Sequence, residues 1–154
     1  MPRRVKLHLM IHRSLLLLLP IALISCSSTP PDQAASKAYL EKAASEPGAI
    51  RTPSGLVYRE LRAGTGSSPV ATDTVKVNYK GTLTDGKKFD SADNVSFPLN
   101  HVIPCWTEGV QKMKVGGKAE LVCPSSIGYG DQGNPPDIPG GATLVFEIEL
   151  LGIG

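Results

Sequence analysis

A single short helix between stretches of strand limits what this chain can fold into. Residues 102–117 read VIPCWTEGVQKMKVGG and hold the only tryptophan. Pro104 suits a first helical turn, where its missing N–H has no partner to lose, and the glycine pair 116–117 predicts the end of the helix. Trp106 and Met113 share one face of this helix, so that face must pack on an apolar surface. The sequence predicts one helix laid across a sheet, with Trp106 against its concave side.

Alternating apolar and polar residues predict antiparallel strands before and after that helix. The predicted strands cover residues 56–61, 75–80, 118–124 and 143–153. The segment Thr84–Lys87 has the composition of a two-residue hairpin turn, in which both central residues need positive φ. Phe89 and Asp90 then return on the partner strand. Antiparallel strands with one helix give the fold class α+β.

The glycine- and proline-rich loop Ser125–Gly141 is a candidate functional element. A connection of this length in a compact domain is usually functional or disordered. Tyr129 and Ile138 are isolated apolar residues in an otherwise polar segment. Two such anchors favour an ordered loop that takes part in a site.

Residues 1–25 have the pattern of an export signal. Basic residues without an acid precede the largely apolar run Leu15–Ile24, which is too short to cross ~30 Å of hydrocarbon as a helix. The run ends in Leu-Ile-Ser-Cys26, which resembles the lipobox of bacterial lipoproteins, where the cysteine becomes the lipidated first residue. The alternative is a plain cleaved signal. Acyl chains on Cys26 would hold the protein firmly on a bilayer.

Charge and length indicate one tethered domain without a nucleic-acid partner. The chain has 16 Lys and Arg against 14 Asp and Glu, but four of the basic residues precede Cys26, so the mature chain is slightly acidic. It has no basic stripe to meet phosphates. Residues 26–50 are predicted to be a lipid-anchored linker with a short helix, and residues 51–154 to be the domain. That helix is too short for a substantial dimerisation arm, so a monomer is expected.

Five separated motifs resemble those of the FKBP-type peptidyl-prolyl cis-trans isomerases, in their order and roughly in their spacing. The motifs are Val77–Gly81, Asp85–Ser91, Val102–Trp106, Tyr129–Gly130 and Ala142–Phe146. They span most of residues 55–153, and the membrane-directed start is most similar to the bacterial envelope branch that includes the macrophage infectivity potentiator proteins. The resemblance implies a twisted antiparallel sheet wrapped around one short α-helix, preceded by a short N-terminal helix.

The resemblance also implies a dry pocket that binds the proline of an X-Pro bond. Its substrate-binding residues would be Tyr79, Phe89, Val102, Trp106, Ile138 and Phe146. The catalytic positions would be Asp90, which polarises the edge of the site, and the Ile103 N–H and Tyr129 hydroxyl, which hold substrate carbonyls. A core position would explain each aromatic residue taken alone, but not Tyr129 and Ile138 on a polar loop. Val95 stands where many members of the family have a further wall phenylalanine.

No cofactor or metal is implied. His101 is the only histidine after Cys26 and is expected on the surface, so a Ser-His-Asp triad or a metal site has little to build from. Rotation about an X-Pro bond needs no nucleophile or acid, only a site that binds the twisted form better than either planar isomer.

The expected function is isomerisation of X-Pro bonds at the bacterial cell envelope, with the lipid anchor in the outer membrane and the domain facing the periplasm. Expected partners are proline-containing unfolded or exported polypeptides and, by resemblance, macrolide inhibitors. The alternative is an envelope holdase chaperone or protein-binding module that keeps the pocket without essential catalysis.

Cys105 and Cys123 are expected to form a disulfide. They are the two cysteines left once Cys26 is acylated, in a chain that matures where thiols are oxidised. A pair of small buried thiols is the alternative, because the sequence does not show whether the two Cα atoms come within the ~4.4–6.8 Å that a disulfide needs.

Overall fold

The structure, a computed structural model, describes residues 31–154 and has the expected α+β class. Its helices are α1 (Pro31–Ala44) and α2 (Pro104–Val110), and its strands are β1 (Ala49–Arg51), β2 (Val57–Arg62), β3 (Thr74–Leu83), β4 (Lys88–Pro98), β5 (Lys118–Cys123) and β6 (Leu144–Ile153). The predicted signal peptide, the lipidation site Cys26 and the start of the linker lie outside the described residues.

All six strands form one antiparallel sheet in the order β1-β2-β5-β6-β3-β4. From the edge strand β4 the chain runs through α2 and re-enters the sheet as β5, beside β2. This connection lays α2 against the concave face, where its buried side chains join the main core. The arrangement confirms the helix-across-a-sheet prediction.

Helix α2 is shorter than the sequence predicted, because it ends at Val110 rather than at the glycine pair 116–117. The N–H groups of Lys112 and Met113 donate to carbonyl oxygens three residues back, each at 3.1 Å, so tight turns replace the helix. Met113 is nevertheless buried under these turns, with 1% of its surface exposed. Because Met113 is buried, it fits the apolar spacing of the predicted helix even though the helix ends before it.

The predicted two-residue hairpin turn between β3 and β4 is wrong, since only Gly86 of its residues has positive φ (87°). The Gly86 N–H donates to the Leu83 carbonyl at 3.0 Å, and the Leu83 N–H donates to the Lys87 carbonyl at 2.9 Å. Asp85 Oδ1 accepts a hydrogen bond from the Lys87 N–H at 2.8 Å. The connection is therefore a three-residue loop that ends in a left-handed glycine.

Helix α1 is docked on the convex face of the sheet. Leu40 and Ala43 pack with Val57, Val122 and Val145 in a second, smaller core. This core explains why Val122 is only 1% exposed, although both of its neighbours in the strand face the main core on the other side of the sheet.

Strand β1 was not predicted. Ala49–Arg51 pairs with β2, so the sheet begins two residues before the domain boundary drawn at 51. Neither α1 nor α2, the α-helices of the described residues, has the length and apolar character needed to span a bilayer.

Candidate active site

A cavity of about 440 Å³ opens on the concave side of the sheet, beside α2. Its lining is mostly apolar and aromatic: Tyr79, Phe89, Asp90, Phe97, His101, Val102, Ile103, Trp106, Tyr129 and Phe146. All three phenylalanines and the only tryptophan of the chain contribute. Volume and lining are typical of a site for a small apolar group. Eight of the nine predicted substrate-binding and catalytic residues line this one cavity.

Trp106 forms the floor of the cavity and is held by three aromatic rings. Its ring centroid lies 5.1 Å from that of Tyr79, 5.4 Å from that of Phe146 and 5.7 Å from that of Phe97. All three pairs are edge-to-face, and so is the Phe89–Phe146 pair at 5.5 Å. This geometry sets the positive edge of one ring against the negative face of another and contributes about 0.5–1.5 kcal/mol per pair beyond burial. The cavity wall is therefore stiff as well as apolar.

A bulge in β4 brings two consecutive side chains, Phe89 and Asp90, to the cavity. Asp90 pairs with Gly81 of β3, but the next pair joins Lys88 to Thr82, so Phe89 is an extra residue. Neighbouring side chains of an unbroken strand point to opposite faces. The extra residue allows both side chains to reach the same one.

Gly81 makes room for the Phe89 ring. A β-carbon at Gly81 would lie 2.5 Å from Cζ of Phe89 and 2.9 Å from Cε1 of Phe146. Both distances are below van der Waals contact, so a side chain here would displace the two rings. The glycine is therefore required by close packing at the cavity wall.

Asp90 is held at the edge of the cavity by Tyr79, whose hydroxyl donates to Asp90 Oδ2 at 2.6 Å. Burial raises the pKa of Tyr79, and the hydrogen bond to Asp90 and the charge of that carboxylate raise it further. The phenol consequently stays protonated and continues to donate. The carboxylate is exposed, so it meets both solvent and the cavity.

Val102 and Ile103 form the lip of the cavity, between the 3₁₀ turn Leu99–His101 and α2. Thr107 Oγ1 donates to the Leu99 carbonyl at 2.6 Å, which ties the helix to that turn. Within residues 31–154, the Ile103 N–H makes no hydrogen bond to another protein atom. This donor is therefore available to a carbonyl group at the cavity.

The loop Ser125–Gly141 folds back on itself and brings Tyr129 to the rim. Asn134 and Ile138 exchange two backbone hydrogen bonds, of 2.8 and 3.1 Å. Tyr129 lines the cavity with 39% of its surface exposed, whereas Ile138 is 3% exposed within the main core. Ile138 thus does not form part of the cavity lining for which it was predicted. It anchors the loop that carries Tyr129.

Two lining residues, Phe97 and His101, were not predicted. Phe97 packs against Trp106, but alternation counted from Asp90 places it on the other face of the sheet. His101 is exposed, as expected, yet it lies at the cavity. Its position directly before the Val102–Ile103 lip could have indicated that it lies at the cavity.

The structure joins Cys105 and Cys123 in a disulfide, with their Cα atoms 5.9 Å apart. Both residues are fully buried. The bridge links the first turn of α2 to the end of β5, and Cys105 directly precedes Trp106. It helps to hold the floor of the cavity and contributes no group to the lining.

The lining residues are suited to binding rather than to metal chemistry. In the part of the chain that the structure describes, no group of three His, Cys, Asp or Glu residues is arranged to hold a metal ion. The cavity offers apolar contact, one carboxylate, tyrosine hydroxyls and a backbone N–H. These groups can exclude water and hold carbonyl groups.

Comparison with known families matches residues 66–151 to the model of the FKBP-type peptidyl-prolyl cis-trans isomerases. The FKBP-type peptidyl-prolyl cis-trans isomerases FkpA of Aeromonas hydrophila and of Escherichia coli K12 are 50% and 48% identical to the chain over 126 residues. The alignments cover 79% of this chain but only 47% and 46% of those proteins. The chain thus spans about half the length of the curated relatives it matches.

Solved structures show the same likeness. The crystal structure of FkpA from Escherichia coli matches with a TM-score of 0.77 at 48% identity, covering 79% of this chain and 59% of that one. A peptidyl-prolyl cis-trans isomerase from Pseudomonas syringae pv. tomato matches with a TM-score of 0.76 at 37% identity, covering 82% and 98%. Sequence and fold therefore lead to the same group of proteins.

Proposed function

We propose that this chain, which belongs to the family of FKBP-type peptidyl-prolyl cis-trans isomerases, catalyses the cis-trans isomerisation of X-Pro bonds. The observation that carries the proposal is the apolar cavity of about 440 Å³, with Trp106 as its floor and aromatic rings as its walls. Such a cavity accepts a proline ring and excludes water from the bond before it.

Exclusion of water is the physical basis of the proposed catalysis. Rotation about an amide C–N bond has a barrier of ~18–20 kcal/mol, because resonance gives the bond partial double-bond character. Water around the carbonyl oxygen favours the charge-separated resonance form. An X-Pro bond among aromatic rings loses that water, so its double-bond character and its barrier fall. Cis and trans forms differ by only ~0.5–1 kcal/mol, so the site has to bind the twisted form better than either.

Polar groups at the cavity edge recognise the twisted bond and its neighbours. The Ile103 N–H and the Tyr129 hydroxyl donate to substrate carbonyl groups, and the Asp90 carboxylate polarises the edge of the site. Support comes from the unbonded Ile103 N–H and from the 2.6 Å bond by which Tyr79 fixes Asp90. A donor fixed before the substrate arrives needs no reorganisation as charge shifts during rotation.

The aromatic walls bind the proline side of the substrate. Trp106 underlies the ring, Tyr79, Phe89 and Phe146 enclose it, and Val102 closes the lip. The substrates are proline-containing unfolded or exported polypeptides, and macrolide inhibitors compete for the same cavity. Apolar contact of this kind tolerates many residues before the proline, as a folding catalyst requires.

The N-terminal sequence supports a place in the bacterial cell envelope. Residues 1–25 direct export, and lipidated Cys26 anchors the domain to the outer membrane on its periplasmic side. The domain acts as a monomer, since α1 buries Leu40 and Ala43 on its own sheet.

The lipid anchor is tested by Cys26→Ala, which should release a folded, active protein into the periplasm. An N-terminal peptide of the wild-type protein without an acyl mass would contradict the anchor.

The activity is tested by isomerisation of a short proline peptide, using the chain that carries Cys26→Ala. We expect acceleration that a macrolide abolishes. A protein that binds the macrolide and unfolded polypeptides but leaves the isomerisation rate unchanged would be a holdase or binding module instead.

The catalytic roles are tested by Tyr129→Phe and Asp90→Asn, each of which should lower turnover with little change in the free energy of unfolding. Tyr39→Phe and Asp137→Asn are the matched controls, because both residues lie outside the cavity lining. Wild-type turnover of both site variants, on a peptide and on a protein substrate, would show the roles to be wrong while leaving the fold unaffected.

A further inference from the structure

Strand β4 contains a second bulge, which lies closer to its C-terminal end. Tyr79 of β3 pairs with Ala92 of β4. Val77, two residues before Tyr79, pairs with Val95, which is three residues beyond Ala92. One extra residue is therefore inserted in β4 at 93–94.

This insertion decides which side chains of the following segment reach the cavity. Because side chains alternate between the two faces, one extra residue exchanges the faces for the rest of the strand. Counting from Asp90 without the insertion places Ser96 on the concave side. With the insertion, Phe97 lies there instead, 5.7 Å from the ring of Trp106 and 5.9 Å from the ring of Tyr79.

Asn94 holds the inserted residue in an unusual conformation. Its φ is 59°, and it is the one non-glycine residue with positive φ within residues 31–154. Asparagine tolerates this left-handed region better than most residues. The Asn94 N–H, which the insertion removes from the regular ladder, donates to Oδ1 of Asn78 at 2.8 Å.

The amide of Asn78 is itself oriented from its other end. Its Nδ2 donates to Oε2 of Glu149 at 3.2 Å, and Glu149 also accepts from Arg62. Arg62 Nε donates in turn to the Gly116 carbonyl at 3.2 Å. With Nδ2 directed to a carboxylate, Oδ1 has to face the insertion. A chain of hydrogen bonds across the convex face thus holds the acceptor that the Asn94 N–H requires.

We propose that Asn78 and Asn94 are positioning residues for the cavity, which set its width by fixing the insertion that turns Phe97 towards Trp106. Neither residue lines the cavity. The expected effect on catalysis rests on the proposed function. The expected packing of Phe97 on Trp106 does not depend on it. Affinity for the proline group and for a macrolide follows, because Phe97 completes one wall.

The first test is Asn78→Leu in the mature chain carrying Cys26→Ala, since leucine keeps the size of the side chain and removes the acceptor. We expect the macrolide Kd and the KM for a proline peptide to rise about 3- to 10-fold, as for a lost hydrogen bond, with a smaller change in kcat. Glu149→Gln is the matched control, because it keeps an acceptor for Asn78 Nδ2, and it should leave both constants within twofold.

A second pair of variants changes Asn94, which lies in the insertion itself. Asn94→Gly keeps the left-handed backbone without strain and should bind as the wild type does. Asn94→Ala disfavours positive φ and should weaken binding in the same direction as Asn78→Leu. This pair keeps the inference testable if Asn78→Leu does not fold.

Fluorescence of Trp106 separates positioning from a merely structural role. Trp106 is the only tryptophan, is 4% exposed and packs against the Phe97 ring. Its fluorescence emission therefore reports the packing of Phe97 without any ligand. We expect a shifted emission in Asn78→Leu and Asn94→Ala well below their melting temperatures. Lower melting temperatures with unchanged emission, macrolide Kd and KM would overturn the inference. Absent isomerisation by the wild type, with the emission shifts still present, would instead refute the proposed function alone.

Discussion

The concave and convex faces of the sheet are built from the same strands but carry different chemistry. On the concave face, Trp106 lies among packed aromatic rings and is almost fully buried. On the convex face, ion pairs join neighbouring strands: Arg59 to Glu120 at 3.0 Å and Lys118 to Glu147 at 2.5 Å. Strand alternation sorts the residues, so one strand serves two environments.

This difference teaches where stability and function coincide. Ion pairs that keep contact with water, as these do, contribute only about 0–1 kcal/mol, because water still solvates both charges. Buried aromatic side chains contribute several times more, and here the same rings line the cavity. Changes to the side chains that line the cavity should therefore alter stability and activity together, whereas changes to the ion pairs of the convex face should alter each only slightly.

The largest expected effect comes from Trp106→Ala on the concave face. It removes the floor of the cavity and should lower the free energy of unfolding by ~3–5 kcal/mol, as large-to-small aromatic substitutions in a core do. Turnover should be lost as well, and both are measured by urea unfolding and a proline-peptide assay. Lys118→Ala is the convex counterpart and should change stability by less than ~1 kcal/mol. Equal losses in the two variants would remove the contrast between the faces.

The second effect concerns the disulfide Cys105–Cys123, which supports the concave face without lining the cavity. Its cysteines are 18 residues apart, so in the chain-entropy model the bridge contributes ~3 kcal/mol. Reduction should lower the melting temperature and leave turnover intact below it. Two thiols titrated in the unfolded, unreduced protein purified from the periplasm would show that the bridge does not form there.

Helix periodicity placed Trp106 against the concave side of the sheet, whereas the family resemblance assigned Tyr79 and Phe146 to the pocket. All three lie together. Phe97 was missed because the extra residue at 93–94 reverses the alternation counted from Asp90, and pairing register is a property of two strands rather than of one sequence. Ile138 was assigned to the wall, since its apolar character on a polar loop does not distinguish an anchor from a lining residue.

The convex face was harder to predict. Val122 lies between two residues that face the main core, so alternation predicts that it faces solvent. The docking of α1 explains its burial. An alanine-rich helix of this kind carries a weak amphipathic signal, so its docking on the sheet could not be predicted from the sequence. Docking depends on the combined surface of β2, β5 and β6, which are distant in sequence.

A third, smaller effect should follow from adding one methyl group to each of two glycines. Gly81→Ala places a β-carbon against the Phe89 and Phe146 rings and should lower the free energy of unfolding by ~1–3 kcal/mol, as overpacking does. It should also weaken macrolide binding. Gly152→Ala is the control in β6, where no atom beyond the adjoining residues lies within 4 Å of the new carbon. Similar denaturation curves for the two variants would contradict the close packing at Gly81.

The smallest effect is expected on the convex face, at the pair Arg62–Glu149, and it depends on pH. The hydrogen bond from Arg62, followed by that from Asn78, holds the pKa of Glu149 below its ordinary value of 4.5. A carboxyl whose pKa is lower in the folded state stabilises the protein above its unfolded pKa and loses that contribution as the pH falls through the folded value. Arg62→Leu should therefore lower the free energy of unfolding at pH 7 by less than ~1 kcal/mol, and the difference from wild type should shrink between pH 7 and pH 3. Urea unfolding at both pH values measures it, and a difference that persists undiminished at pH 3 would show that Arg62 acts through packing rather than through the carboxylate.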